Sequence, residues 1–157
     1  MTGIIDRLHT ALGAFGRGRH PRNRETGPPI RAFVPDGPER RLLEELSRKS
    51  GLQLEFAGAG GAVPAPDGPC PPIVIYGREH SPCWREDIQL LARTTPRPYV
   101  ILLSATADAN LWDELERLGG DDILRLPLTA AVVLDAVARA RLFCGVGQWV
   151  RGTPGTQ

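Results

Sequence analysis

Residues 99–128 set the tightest limit on what this chain can become. Tyr99-Val100-Ile101-Leu102-Leu103 is an unbroken apolar run. So short and so apolar a run predicts a strand buried on both faces, the habit of a parallel sheet rather than of a sheet with one wet side. Ser104 then falls at the strand's carboxyl end, where open α/β sheets keep their ligand crevice. Asp108 or Asn110 can cap the helix that follows, whose Leu111, Leu115 and Leu118 share one face. Gly119 can close it in a left-handed cap. After Gly-Gly-Asp-Asp (119–122) comes a second short strand, Ile123-Leu124, ended by Pro127. A strand, a helix and a strand in thirty residues define one α/β unit, and the chain upstream must supply the rest of the sheet.

It does so in register with the same plan. Ile30 to Val34 reads as a first strand, followed by the loop Pro35-Asp36-Gly37-Pro38, with Pro38 placed to open a helix. Leu42, Leu43 and Leu46 give that helix an inner face, and Gly51 ends it. Leu52, Leu54 and Phe56 alternate with Gln53 and Glu55, the period of two expected of an edge strand. Residues 57–72 carry nine glycines and prolines, which argues against a regular helix in this crossover and for a short turn or irregular loop. Ile73 to Tyr76 is the central strand. Ser81-Pro82 is expected to cap the next helix, with Trp84, Ile88 and Leu91 inward. Thr129 is expected to cap a last helix to about Phe143, with Val132, Val133, Ala136, Val137 and Ala140 inward. The expected domain spans residues 30–144, with residues 145–157 as a loose tail whose one sizeable anchor is Trp149. Five strands alternating with four helices imply a parallel, doubly wound sheet in three layers, α/β/α, with the second crossover helix short or missing.

Ahead of the domain, residues 1–29 divide in two. Ile5, Leu8, Leu12 and Phe15 make an amphipathic helix candidate, weakened by Gly3 and Gly13 at about 1 kcal/mol each. It has three readings: a helix docked on its own domain or frayed, a partner-binding or self-pairing helix, and a membrane-surface helix. Gly16 to Pro29 is a basic linker rich in Arg, Gly and Pro. The first 31 residues hold six Arg against two acids, whereas the whole chain has a formal net charge of only +1. No aromatic residues are interleaved in the linker for stacking on bases, which argues against nucleic-acid binding. Three cysteines without a CxxC pair fit neither a disulfide framework nor a zinc site, and suit a reducing cytoplasm. No apolar run approaches the roughly 20 residues of a membrane-spanning helix.

Three pieces together resemble the C-terminal half of a response-regulator receiver domain: Val100-Ile101-Leu102-Leu103-Ser104-Ala105, Gly119-Gly120-Asp121-Asp122-Ile123-Leu124, and Leu126-Pro127-Leu128. The Gly-Gly-Asp-Asp turn before a short strand and a Pro-hydrophobic step is the most specific of them. With the upstream elements the resemblance extends from Arg31 to Phe143, and it implies the flavodoxin-like strand order 2-1-3-4-5. It also implies a site: an acidic pair after strand one, an acceptor aspartate after strand three, a hydroxyl after strand four and a lysine after strand five. The acids hold a hard cation through oxygen ligands, and cation and lysine neutralise the transferring phosphoryl group.

On this chain those positions fall on Pro35-Asp36, Gly77, Ser104 and Leu126, and the switch aromatic falls on Ile123. One carboxylate and the hydroxyl survive. Nucleophile and ammonium do not, and Glu79, two residues beyond Gly77, could at best replace the former. The expectation is a degenerate receiver, not an enzyme, with no metal and no cofactor, acting by protein–protein contact in the cytoplasm without phosphorylation. The alternatives are a two-component phosphorelay regulator with an unconventional acceptor, and a binder of a small anionic ligand at the strand carboxyl ends. Receivers dimerise or grip outputs through the face that corresponds here to residues 108–143. Trp112, Arg125 and Arg139 are its interface candidates, for another signalling protein or a second copy of the chain; the N-terminal helix offers a second route to a homodimer. His80 with Cys83 is too small a set for zinc, and Gly58-Ala59-Gly60-Gly61 lacks the spacing of a phosphate cradle.

Overall fold

The structure, a computed structural model, describes residues 27–58, 61–63 and 72–152, with the backbone alone for 145–152. Five strands, β1 (Ile30–Phe33), β2 (Leu54–Phe56), β3 (Ile73–Gly77), β4 (Tyr99–Ser104) and β5 (Asp122–Arg125), form one sheet in the order β2-β1-β3-β4-β5. Every pairing is parallel, with Ile30 opposite both Leu54 and Ile73, Ile73 opposite Tyr99, and Ile101 opposite Asp122. The helices are α1 (Pro38–Ser50), α2 (Trp84–Arg93), α3 (Ala109–Leu118) and α4 (Ala130–Gly152). The strand order and the α/β/α layering are those expected from the sequence.

Alternate residues of each central strand serve opposite faces. Ile30, Ala32, Ile73, Ile75, Ile101 and Leu103 point toward α1 and α4, where Leu43, Val133, Val137 and Ala140 meet them. Phe33, Val74, Tyr76, Val100 and Leu102 point toward α2 and α3, against Trp84, Ile88, Leu91, Leu111 and Leu115. Burying one such large side chain contributes about 1.5–3 kcal/mol, so these two layers are the main stabilising force. Among the described residues no helix links β2 to β3. Ala57 and Val63 of that connection are buried in the second layer.

The predicted caps are present where the sequence signals were specific. Pro38 opens α1, and Gly51 closes it with a left-handed φ of 70°. The Asp108 carboxylate accepts from the Leu111 N–H at 2.8 Å, and Gly119 closes α3 at φ 95°. Three expectations need correction. Ser81-Pro82 does not cap α2: the Ser81 hydroxyl accepts from the Cys83 N–H at 3.0 Å, which closes a turn, and the helix starts only at Trp84. Val132 is 42% exposed rather than inward, one position off the Val133–Val137–Ala140 stripe. The last helix also does not stop near Phe143 but continues to Gly152, into the expected tail. Gly145 and Gly147 only weaken a helix, and no proline interrupts the chain until Pro154. The N-terminal stripe Ile5, Leu8, Leu12 and Phe15 lies outside the described residues, as does the side chain of Trp149.

Candidate functional site

The carboxyl ends of β1, β3 and β4 bring the sequence-selected residues to one rim of the sheet. Gly77 is the last residue of β3 and pairs with Leu103. It is packed from the side. A Cβ built on it would stand 3.3 Å from Pro35 Cδ and 3.4 Å from the Phe33 carbonyl oxygen. Pro35, in the loop after β1, thus stands beside the residue at the end of β3 that has no side chain. Asp36, expected in the same pocket, is turned away from it. Its side chain is 91% exposed, with one oxygen 3.6 Å from Arg40 Nε, and Arg40 also meets Glu44 at 3.2 Å.

Ser104 is 3% exposed and ends β4. Its hydroxyl accepts from the Thr106 N–H at 3.3 Å and lies 3.4 Å from the Thr106 hydroxyl. Leu126 is half-buried and packs against the core layer beneath α4. Its N–H donates to the Ser104 carbonyl at 2.9 Å, while its side chain presents hydrocarbon where the receiver pattern has an ammonium.

The cation at this rim is one the sequence reading did not select. Arg78, immediately after Gly77 on a 3₁₀ turn (Arg78–His80), donates to Ser104 Oγ at 3.4 Å and to Thr106 Oγ1 at 3.3 Å. Its guanidinium lies 5.1 Å from the centre of the Trp84 ring. The available signal was only its place, directly after the central strand. Glu79 is exposed, and His80 is taken up structurally. The His80 ring stands edge-on to Phe33 and Tyr76 at 5.6 and 5.5 Å, with Nε2 2.9 Å from the Gly61 carbonyl oxygen. Beneath it the buried Tyr76 hydroxyl donates to Asp87 at 2.5 Å, and burial followed by that hydrogen bond pushes the phenol well above its ordinary value.

This donor set does not fit a divalent cation. A hard cation wants several oxygen ligands converging on one point. Here Asp36 is directed at an arginine, and among the described residues no group of three or more acidic, histidine or cysteine side chains is placed to hold a metal ion.

The pair Asp121-Asp122 makes structural contacts, as the resemblance led one to expect. Asp121 accepts from Arg97 at 2.6 Å and from the Val100 N–H at 2.8 Å. Asp122, 7% exposed, accepts from Arg139 at 2.8 Å and from its neighbour's Ile123 N–H at 2.9 Å. Arg139, an interface candidate, thus makes ion pairs within the chain, to Asp122 and also to Asp135, and the Asp122 hydrogen bond holds its guanidinium above the ordinary value. Arg125 is exposed at the end of β5. Trp112 is 41% exposed and borders an open groove of about 400 Å³ between α3 and the start of β5, together with Arg97, Glu116, Gly120 and Asp121.

Solved structures share this fold over most of the chain. The receiver domain of the sensor histidine kinase PA1611 from Pseudomonas aeruginosa PAO1 superposes with a TM-score of 0.60 at 19% identity, covering 73% of this chain and 98% of that one. The chain has the receiver fold. A response regulator from Thermotoga maritima superposes at a TM-score of 0.54 and 16% identity, over 73% of this chain and 98% of its own. NtrX from Brucella abortus gives 0.64 at 18% identity, over 80% of this chain and 29% of NtrX. No protein-family model and no curated protein matches the sequence. The PA1611 receiver carries a magnesium ion in its active-site cleft. In this chain the rim at the carboxyl ends of β1, β3 and β4 presents Pro35, Gly77 and Arg78.

Proposed function

We propose that this chain is a pseudo-receiver: a non-catalytic, phosphorylation-independent signalling domain that acts by binding another protein in the cytoplasm. The observation that carries the reading is the contact of Pro35 with Gly77. Gly77 has no side chain where the resemblance puts the acceptor, a Cβ there would stand 3.3 Å from Pro35 Cδ, and Leu126 supplies no charge for a phosphoryl group. Gly77 offers no nucleophile and Leu126 no ammonium, and the transfer needs the nucleophile first.

The binding surface in this reading is the face of α3, β5 and α4. Trp112 offers a large, half-exposed ring beside a groove bordered by Arg97 and Glu116, the mixture of aromatic anchor and flanking charge that hot spots favour. Leu134, Leu142 and Phe143 add exposed apolar surface on α4. The partner is another signalling protein or a second copy of the chain.

The test has two arms. Incubation with acetyl phosphate and Mg²⁺ is expected to leave the intact mass unchanged; gain of one phosphoryl group would instead establish a phosphorelay regulator with an unconventional acceptor. Capture of partners from the native cell is expected with the wild-type chain and is expected to be lost with Trp112→Ala, whereas equal capture by both would move the binding surface elsewhere.

A further inference from the structure

The rim that lacks the acidic set has the opposite polarity. Arg40, Arg85, Arg97 and Arg139 each meet a carboxylate. Among the described residues the side-chain partners of Arg78 are neutral: the hydroxyls of Ser104 and Thr106, at 3.4 and 3.3 Å, and the face of Trp84. Both bonds are long for N–H to oxygen. A guanidinium carries five N–H donors in a planar fork matched to an oxyanion, and two stretched bonds from one nitrogen leave most of that capacity unspent. Each hydroxyl can also turn its proton toward an incoming acceptor.

Two of the described carboxylates near the rim have arginine partners of their own. Asp36 is directed at Arg40, and Glu114, which feels the charge of Arg78, is hydrogen-bonded by Arg85. Gly77 contributes none. Trp84, 5% exposed, backs the guanidinium with an apolar wall, and a hydrogen bond to an anion is stronger beside such a wall than in open water.

We propose that Arg78, Ser104 and Thr106 form a metal-independent receptor for a small phosphate-like dianion, supplied either as inorganic phosphate or as the terminal phosphate of a phosphorylated metabolite. The receptor is separate from the partner-binding face, so either can fail without the other.

The experiment titrates the full chain with inorganic phosphate in EDTA, against chloride at matched ionic strength, and follows amide NMR shifts and the midpoint of thermal unfolding. Saturable shifts centred on Arg78, Ser104 and Thr106 are expected, with a rising midpoint. Arg78→Gln is expected to weaken binding at least about tenfold, the scale of a lost charge-assisted bond, while Arg78→Lys retains part of it. Glycerol phosphate separates the two sources: tighter binding than inorganic phosphate assigns the site to a phosphorylated metabolite, and weaker binding assigns it to the free ion. No saturable response in the wild type, a requirement for Mg²⁺, or undiminished binding by Arg78→Gln would overturn the proposal. Should Arg78→Gln fail to fold, Thr106→Ala at its exposed position carries the comparison: weakened binding supports the receptor, and unchanged binding with shifts centred away from residues 78, 104 and 106 overturns it.

Discussion

At position 77 a single methyl group would already crowd Pro35 Cδ at 3.3 Å and the Phe33 carbonyl at 3.4 Å. Overpacking of this kind costs about 1–3 kcal/mol. Gly77→Ala is therefore expected to lower the unfolding free energy by about 1 kcal/mol, and Gly77→Asp by more, in urea denaturation. Pro35→Ala combined with Gly77→Ala is expected to cost less than the sum of the single changes, because the two residues touch. Gly77→Asp is not expected to accept a phosphoryl group from acetyl phosphate, since Leu126 still offers no ammonium. The gaps at 77 and 126 are readable in the linear sequence, because a missing functional group is missing in any fold. The role of Arg78 is not: a long guanidinium can swing outward or inward, and only the folded rim shows it over two hydroxyls. Asp36 shows the converse, a carboxylate of the right type turned outward toward Arg40 one helical turn later. Tyr76 makes a pH prediction at the same scale. Its folded-state value lies above the ordinary 10.0 through burial and the bond to Asp87. The folded state thus holds the phenolic proton more tightly, and its contribution is whole below pH 10 and declines as pH rises above it. Stability is expected to fall there by up to about 1.4 kcal/mol per pH unit for this one group. Tyr76→Phe, measured by urea denaturation between about pH 9 and 11, is expected to remove that slope; an unchanged slope would show that the phenol does not control it.

Among the elements, the turn from α3 into β5 joins the most parts. Asp121 accepts from the Val100 N–H at 2.8 Å and from Arg97 at 2.6 Å, and Arg97 also donates to the Gly119 carbonyl at 2.7 Å. One carboxylate thus ties together the start of β4, the loop before it and the cap of α3. Asp121→Ala leaves the Val100 N–H without that acceptor and removes the carboxylate from Arg97, at an expected cost of about 2–3 kcal/mol, read as a fall in the urea midpoint at constant slope. The turn was legible because Gly119 must adopt a positive φ and Gly120 lies against Leu115, where a Cβ would come within 2.3 Å of a methyl carbon. The central strands were legible for a related reason: unbroken apolar runs have no stable home except a sheet covered on both sides, while their order was what the family resemblance implied. What sequence reasoning missed lies where propensity is weak. Ser81 has the chemistry of a helix cap but closes a turn two residues early, and α4 extends past its expected end because glycine alone does not stop a helix. The connection from β2 to β3 was correctly denied a helix in its described part, but that Ala57 and Val63 would be buried in the second layer had no periodic signal.

For the whole molecule, the pseudo-receiver reading expects stability to come from the two core layers, with no contribution from a bound cation. A receiver whose acidic cluster binds Mg²⁺ with a millimolar dissociation constant would gain about 1.4 kcal/mol at about 10 mM ion, from mass action alone. In a domain of this size that corresponds to a rise of several degrees in the unfolding midpoint. Here the surviving carboxylate at the rim is paired to Arg40, and Arg78 places a positive charge where the ion would have to approach. Magnesium chloride is therefore expected to move the midpoint by less than about 1 °C relative to sodium chloride at equal ionic strength, a shift no larger than surface screening produces. Phosphate in EDTA is expected to raise it. The two salts thus separate a cation-dependent switch from an anion-receptive scaffold in one melting experiment. A magnesium-driven rise that persists in Asp36→Asn would place ligands at another rim carboxylate, such as Glu79, and would sink the chemically silent reading. A rise abolished by that same change would instead mean that Asp36 breaks from Arg40 to take the ion.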